Sequence, residues 1–163
     1  MREIKIDHQQ NHLDSPFPLV YELDDQDKIL ALEGLVGQNK HQIARDLNAI
    51  GAIVFRGLDI ANHDDFDRFV RAFSWPSFTY NESLSNAVRR NRTDLVFTAN
   101  EAPSSVSIFL HHEMAQTPIY PSKLFFFCER SSEVGGATPL CRSDILLTHL
   151  QRQIPKFIEA CEE

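Results

Sequence analysis

The chain has 163 residues, 42% of them hydrophobic and 24% charged, which is enough for one domain with a buried core. Its formal charge of −7 disfavours nonspecific nucleic-acid binding, and a solvated loop explains the one basic cluster, at Arg89, Arg90 and Arg92. The apolar runs are too short to span a bilayer, and the first residues lack the apolar core of a signal peptide. We therefore expect a cytoplasmic protein without a membrane segment.

Three cysteines, Cys128, Cys141 and Cys161, are odd in number and have no metal-type spacing. They are expected to be reduced thiols rather than a disulfide framework or a zinc site. Their simplest role is that of small core residues.

The opening third of the chain is predicted to be mainly helical. Asp24 and Asp25 offer caps for an apolar-rich segment that Gly34 and Gly37 weaken and end. A second helix is predicted after it, with Asn39 as its cap and Gly51 at the left-handed C-terminal position.

A buried strand and an amphipathic helix are predicted next. Residues 52–57 form a β-rich run bounded by glycines. The helix has Asn62 as its N-cap and carries an apolar stripe of Phe66, Phe69, Val70 and Phe73. Such a stripe indicates core packing rather than a cofactor site.

From residue 75 onward the pattern changes to loops and strands. The polar stretch 81–93 indicates a long loop. Three strands are predicted, at residues 95–98, 106–114 and 123–129, the last with an apolar run suited to burial on both faces. A capped helix is expected from Ser143 or Asp144, and Pro155 either interrupts it or begins a new one.

His111 and Glu113 are the most informative residues, because they stand two positions apart in the predicted strand 106–114. Alternate strand residues point to the same face, so an imidazole and a carboxylate would project together. They match two of the three ligands in a 2-His-1-carboxylate triad for non-haem Fe(II). His112 faces the other way and is interpreted as a packing or hydrogen-bonding residue. A lone His-x-Glu pair also arises by chance, so the flanking sequence matters.

Six motifs around this pair occur in a characteristic order: GAIVFRG at 51–57, FDRF at 66–69, FTANEAP at 97–103, HHEMAQ at 111–116, PSKLFFFC at 121–128 and GGATP at 135–139. Together they resemble the iron(II)/2-oxoglutarate-dependent dioxygenases of the taurine-dioxygenase (TauD/TfdA-like) family, especially its clavaminate-synthase-like branch. The resemblance implies an α+β fold: a partial double-stranded β-helix, or jelly roll, with flanking helices and without the C-terminal part of the barrel. Residues 1–163 would be a single incomplete domain, with a helical part at about 20–75 and metal-site strands at about 95–140.

The resemblance also implies a site. His111 and Glu113 would be the first two iron ligands, and the Thr138 hydroxyl would contact a carboxylate of the cosubstrate 2-oxoglutarate. Lys123 is a weaker cosubstrate candidate that otherwise covers a strand end. The implied reaction is hydroxylation, desaturation or a related C–H oxidation of a small molecule. Halogenation is less expected, because Glu113 leaves no ligand position for halide.

In the family, a second histidine ligand and an arginine for 2-oxoglutarate lie downstream of the glycine turn, and the chain ends before them. His149 is the one histidine after Glu113, and its context predicts a surface or half-buried helical residue. Arg142 and Arg152 lack the context of the arginine. The chain therefore looks like an N-terminal half, whose partners would be a missing C-terminal half or further copies of itself.

Three functions remain open on the sequence. The chain is part of an oxygenase that is active once the missing half is supplied, a catalytically inactive remnant, or a metal- or anion-binding module without redox chemistry. Asn100 and Glu101 either line the substrate mouth or satisfy local backbone hydrogen bonds.

Overall fold

The computed structural model describes residues 1–77, 89–99, 101–103 and 105–162, with the backbone alone at Ile29. These residues form two compact units, the first from 1–107 with 113–131 and the second from 108–112 with 132–163. Positions 81–88 of the predicted long loop, and Asn100, lie outside the described residues. No described helix is long and apolar enough to cross a membrane. The cytoplasmic location and the single incomplete domain stay predictions.

The first unit begins with short strands, so the expectation of a mainly helical opening third is wrong. The strands are β1 (Arg2–Glu3), β2 (Gln10–His12), β3 (Ser15–Phe17), β4 (Leu19–Glu22) and β5 (Ile53–Arg56). The sheet order is β1–β4–β5, with β1 antiparallel and β5 parallel to β4, while β2 and β3 form a hairpin. Strand β5 confirms the strand predicted at 52–57. Parallel neighbours need a long crossover, and a helix between β4 and β5 provides it.

Helix α1 (Leu32–Ile50) runs without a break where two helices were predicted. Gly34 and Gly37 lie inside it, and the Asn39 side chain bonds the Leu35 carbonyl rather than capping a new helix. Each glycine costs about 1 kcal/mol relative to alanine. The buried residues Leu32, Leu35, Val36 and Ile43 offset that cost, since packing of an apolar face outweighs propensity. Gly51 ends the helix at φ 93°, as predicted.

Asp24 does not cap the predicted helix but lies in the turn before a short 3₁₀ helix. Its carboxylate accepts hydrogen bonds from the backbone N–H groups of Gln26 and Asp27, each at 3.0 Å. These bonds hold the entry to a 3₁₀ helix over Asp27–Ile29.

Helix α2 (His63–Ala72) confirms the clearest helical prediction. The Asn62 side chain accepts from the N–H groups of Asp64 at 2.9 Å and Asp65 at 3.1 Å. The aromatic stripe is core, with Phe73 only 1% exposed. The buried cluster consists of Leu32, Val36, Ile43, Phe66, Phe69, Phe73 and Val96.

The second unit contains helices α3 (Ser143–Gln153) and α4 (Pro155–Glu162). Ser143 begins the first helix and Pro155 begins the second, within the alternatives left open by the sequence. His149 is an exposed residue of α3, in agreement with its predicted character.

The three strands predicted between residues 95 and 129 are wrong in the part of the chain that the structure describes. Residues 95–98 contribute only an isolated bridge, between Asn91 and Phe97. Residues 106–114 and 123–129 contain no strand. A strand exists only with a hydrogen-bonded neighbour, and the apolar pattern of one segment does not supply that neighbour.

The cysteines also depart from expectation. Cys128, Cys141 and Cys161 are free, as predicted, but all three are exposed. Their interpretation as core residues is therefore wrong.

Candidate metal centre

Glu113 opens a turn rather than continuing a strand. Residues 113–116 are a turn in which the Thr117 N–H donates to the Met114 carbonyl at 3.0 Å. Met114 is buried and has φ 60°, a left-handed conformation that is uncommon for a long side chain. The strand that was predicted to aim His111 and Glu113 in one direction is therefore absent. Their assignment as ligands stays a prediction.

The Glu113 carboxylate lies in a partly buried ion pair with Arg89. The Arg89 Nη2 atom donates to Glu113 Oε1 at 3.1 Å, and the two side chains are 19% and 15% exposed. Arg89 is thus not a residue of a solvated loop, which corrects the interpretation of the basic cluster. Low exposure strengthens an ion pair relative to one in open solvent. The position beside this carboxylate therefore already accepts a cationic group.

His111 and His112 belong to the second unit. The Nδ1 atom of His111 lies 2.7 Å from the Phe109 carbonyl oxygen, so this nitrogen is the ring donor in that contact. Such a bond fixes the tautomer in which Nε2 is the acceptor, the form a metal requires. The Nε2 atom of His112 lies 2.8 Å from Ser143 Oγ, which confirms its predicted hydrogen-bonding role.

Lys123 has an aromatic partner in the first unit. Its ammonium nitrogen lies 4.9 Å from the centroid of the Trp75 ring, a cation–π contact. Phe125 packs beside the same ring, with centroids 5.9 Å apart. This contact matches the alternative in which Lys123 covers a segment end, while its role toward a cosubstrate stays a prediction.

Thr138 follows two glycines whose backbone lies in the left-handed region, which favours glycine. Gly135 and Gly136 have φ values of 69° and 74°, and a Cβ atom on Gly136 would stand 2.2 Å from Ser132 Oγ. Ser132 Oγ in turn donates to the Gly135 carbonyl at 2.7 Å. Thr138 itself is exposed. The turn thus fixes the backbone just before the predicted cosubstrate contact.

Across residues 1–77, 89–99, 101–103 and 105–162, no group of three or more His, Cys, Asp or Glu side chains is placed to hold a metal ion. Arg142 pairs with Asp144 at 2.6 Å and 2.8 Å, and this pairing lowers the Asp144 pKa to about 2. Arg142 therefore pairs with an acidic residue in the first turn of α3.

Asp67, in the FDRF motif, is a structural residue that the pattern did not reveal. It is 8% exposed, and its carboxylate accepts from Thr93 Oγ1 at 2.5 Å and from Arg71. Burial raises the pKa of this carboxyl, but the Arg71 and Thr93 hydrogen bonds outweigh burial, and the pKa is lowered overall. The residue ties α2 to Thr93. Only the presence of an acidic residue beside an aromatic stripe hinted at it.

Comparison with known proteins agrees with the motifs. The model of the taurine catabolism dioxygenase TauD, TfdA family matches residues 21–163. The chain belongs to this family, whose members are non-haem iron oxygenases that generally use Fe(II) and 2-oxoglutarate.

Two curated relatives extend the comparison. A clavaminate synthase-like protein of Arabidopsis thaliana is 35% identical over 162 residues, which cover 95% of this chain and 48% of the relative. The dapdiamide synthesis protein DdaC of Enterobacter agglomerans is 28% identical over 114 residues, which cover 70% of this chain and 34% of that protein. The chain thus spans about half the length of the first relative and about a third of the second.

Proposed function

We propose that this chain is the metal-binding half of an Fe(II)/2-oxoglutarate-dependent oxygenase that oxidises a C–H bond of a small molecule. His111 and Glu113 would hold the metal, and Thr138 would bind a cosubstrate carboxylate. Membership in the family supports the class, and the Glu113 carboxylate, which already holds a cation, supports the metal position. The substrate's chemical class beyond a small molecule is left open.

The chain's own residues prepare the site in three ways. The Phe109 carbonyl orients the His111 ring so that Nε2 presents a lone pair. The ion pair with Arg89 holds the Glu113 carboxylate in place, and the positive φ values of Gly135 and Gly136 set the backbone before Thr138. When bound, iron and 2-oxoglutarate supply the oxidising power, and the protein supplies position and access.

The partial jelly-roll fold belongs to the same proposal. Mixed helices and small sheets without a closed barrel in the described residues accord with a family domain that is incomplete. The remaining ligand and the cosubstrate arginine would come from polypeptide corresponding to the second half of the relatives. The 163-residue chain given Fe(II) and 2-oxoglutarate should then release little succinate, and robust turnover would contradict this division of the site.

Calorimetric titration with Co(II) tests the metal position. We expect weak binding by the wild type, because two protein ligands leave the coordination shell incomplete. His111→Ala and Glu113→Ala should each abolish the signal, whereas His149→Ala, which alters an exposed histidine of α3, should leave it unchanged. Uptake that survives both site variants would show that the metal binds elsewhere.

A further inference from the structure

His111 lies in a segment without regular secondary structure. Residues 107–112 contain neither helix nor strand. Residues 108–112 group with residues 132–163 rather than with their neighbours along the chain. Because no helix or strand hydrogen bonds fix such a segment, the position of each side chain depends on its individual contacts. The contacts of residues 109–112 therefore decide where the His111 ring stands.

One contact attaches this segment to helix α3. The Nε2 atom of His112 lies 2.8 Å from Ser143 Oγ, and the two residues are 31 positions apart in the sequence. A hydroxyl both donates and accepts, so it pairs with either tautomer of a neutral imidazole. Ser143 is the first residue of α3, so the contact joins an irregular segment to the end of a helix.

The start of α3 is a firm point of attachment. The Arg142 guanidinium donates to both carboxylate oxygens of Asp144, at 2.8 Å and 2.6 Å, so the pair spans Ser143. The Leu146 N–H donates to the Arg142 carbonyl at 2.9 Å, and the Thr148 hydroxyl donates to the Asp144 carbonyl at 3.0 Å. A bidentate pair between charged groups restricts side chains more than a single neutral hydrogen bond does. The Ser143 hydroxyl therefore has a defined position from which to hold its partner.

His111 and His112 share a peptide bond, so a contact that holds one residue also restrains the other. On one side, the His111 Nδ1 atom lies 2.7 Å from the Phe109 carbonyl oxygen, and on the other, Ser143 holds the next residue. We propose that Ser143 is a positioning residue for His111. Its hydroxyl, acting through His112, keeps the His111 ring bonded to the Phe109 carbonyl, in the tautomer whose Nε2 carries the lone pair. The use of this lone pair rests on the proposed function, whereas the orientation of the ring requires no metal.

Nitrogen-15 NMR of the imidazole rings in the metal-free 163-residue chain tests the positioning directly. At a pH above the ordinary histidine range, wild-type His111 should be a single tautomer with its proton on Nδ1. Ser143→Ala should leave His111 averaged between its two tautomers, whereas Ser143→Thr, which keeps the hydroxyl, should behave like the wild type. Thr148→Ala is the matched control, because it removes a hydroxyl of the same helix that bonds the Asp144 carbonyl. Circular dichroism establishes that each variant is folded.

Two results of the NMR experiment overturn the proposal. The first is a Ser143→Ala variant in which His111 keeps the wild-type tautomer. The second is a Thr148→Ala variant in which the His111 ring is averaged to the same degree, since the effect would then belong to α3 as a whole.

Calorimetric titration with Co(II) measures the consequence for the metal position. Ser143→Ala should weaken binding by about tenfold, the lower end of the losses that follow removal of a group supporting a metal ligand. Ser143→Thr and Thr148→Ala should bind like the wild type. Because Ser143 acts through His112, Ser143→Ala should have no further effect in a His112→Ala background. Losses that combine independently in the double variant would contradict this route.

The positioning role and the proposed function fail in different ways. Cobalt uptake that does not depend on His111 overturns the proposed function and, with it, the role of Ser143 at a metal site. Uptake that depends on His111 but is the same in Ser143→Ala overturns the positioning role alone. Complete loss of uptake in His112→Ala, beside full uptake in Ser143→Ala, would show that His112 is itself a ligand.

Discussion

Two parts of the first unit differ in how deeply their apolar side chains are buried. In helices α1 and α2, the apolar stripes are buried, down to 0% exposure at Val36 and 4% at Phe69. In residues 123–128, exposure alternates: Phe125 and Phe127 are half-buried, whereas Leu124 and Phe126 are 49% and 67% exposed. Both parts contribute aromatic rings to one core. Only the second part also exposes a row of apolar side chains.

The difference follows from how each kind of element satisfies its backbone. A helix forms its hydrogen bonds internally and needs neighbours only for its apolar stripe. A strand needs a neighbour for its backbone as well, and the described chain offers none to residues 123–128. Helices α1 and α2 are complete within this chain, whereas the strand-like segment is not.

The largest expected effect comes from truncating one phenylalanine in the buried core and comparing it with one on the exposed face. Phe73→Ala should cost about 4 kcal/mol of unfolding free energy, because the ring contacts Phe69, Trp75 and Phe125 in a closed core. Phe126→Ala should change it by less than about 0.5 kcal/mol. Urea unfolding of the monomer measures both. Similar losses would mean that the second face is covered within the chain.

The next largest loss of stability is expected at Asp67, because its carboxylate joins α2 to Thr93. Asp67→Asn should lower the unfolding free energy by about 2 kcal/mol at neutral pH, through weakened bonds to Arg71 and Thr93.

The same carboxylate sets a pH dependence. Its folded-state pKa is lowered, so its stabilisation is fully present above the ordinary aspartate range and is lost as pH falls through the lowered pKa. The difference between wild type and Asp67→Asn should therefore shrink in acid. A difference that stays constant from neutral pH to strong acid would remove Asp67 as the titrating group.

A smaller effect concerns the cation that Glu113 already holds. If a metal ion and Arg89 compete for this carboxylate, Arg89→Gln should tighten Co(II) binding by about fivefold, equivalent to roughly 1 kcal/mol. Arg90→Gln is the matched control, since Arg90 is 75% exposed and pairs with Glu101 instead. Weaker binding by Arg89→Gln would show that Arg89 supports the site.

The smallest expected effect tests whether α2 depends on its own N-cap residue. Asn62→Ala removes the side-chain acceptor of two backbone N–H groups and should cost about 1 kcal/mol of unfolding free energy. Asn48→Ala, at an exposed position inside α1, should be neutral or slightly stabilising. Equal effects of the two substitutions would mean that the cap contributes nothing.

Local patterns were sufficient where an element depends on its own residues. The Asn62 cap, the aromatic stripe of α2, the Gly51 terminus and strand β5 were all predicted from short-range signals. The uninterrupted α1 was missed because burial of Leu35, Val36 and Ile43 outweighs two glycines. Propensity alone does not contain that tertiary contribution.

The candidate site was predicted by family motifs rather than by local geometry. The motifs identified His111 and Glu113, but the strand predicted to carry both is absent, and Glu113 instead begins a turn at residues 113–116. The Arg89–Glu113 and Asp67–Thr93 contacts join residues 24 and 26 positions apart. Neither has a periodic signal, so no pattern in the sequence points to them.

X-ray absorption spectroscopy at the cobalt edge tests most directly whether His111 and Glu113 bind one metal ion together. For the Co(II)-loaded protein we predict one imidazole in a shell otherwise made of oxygen, the loss of imidazole scattering in His111→Ala, and an altered oxygen shell in Glu113→Gln. An imidazole signal that persists in His111→Ala, or a shell unchanged by Glu113→Gln, would contradict the proposed metal centre.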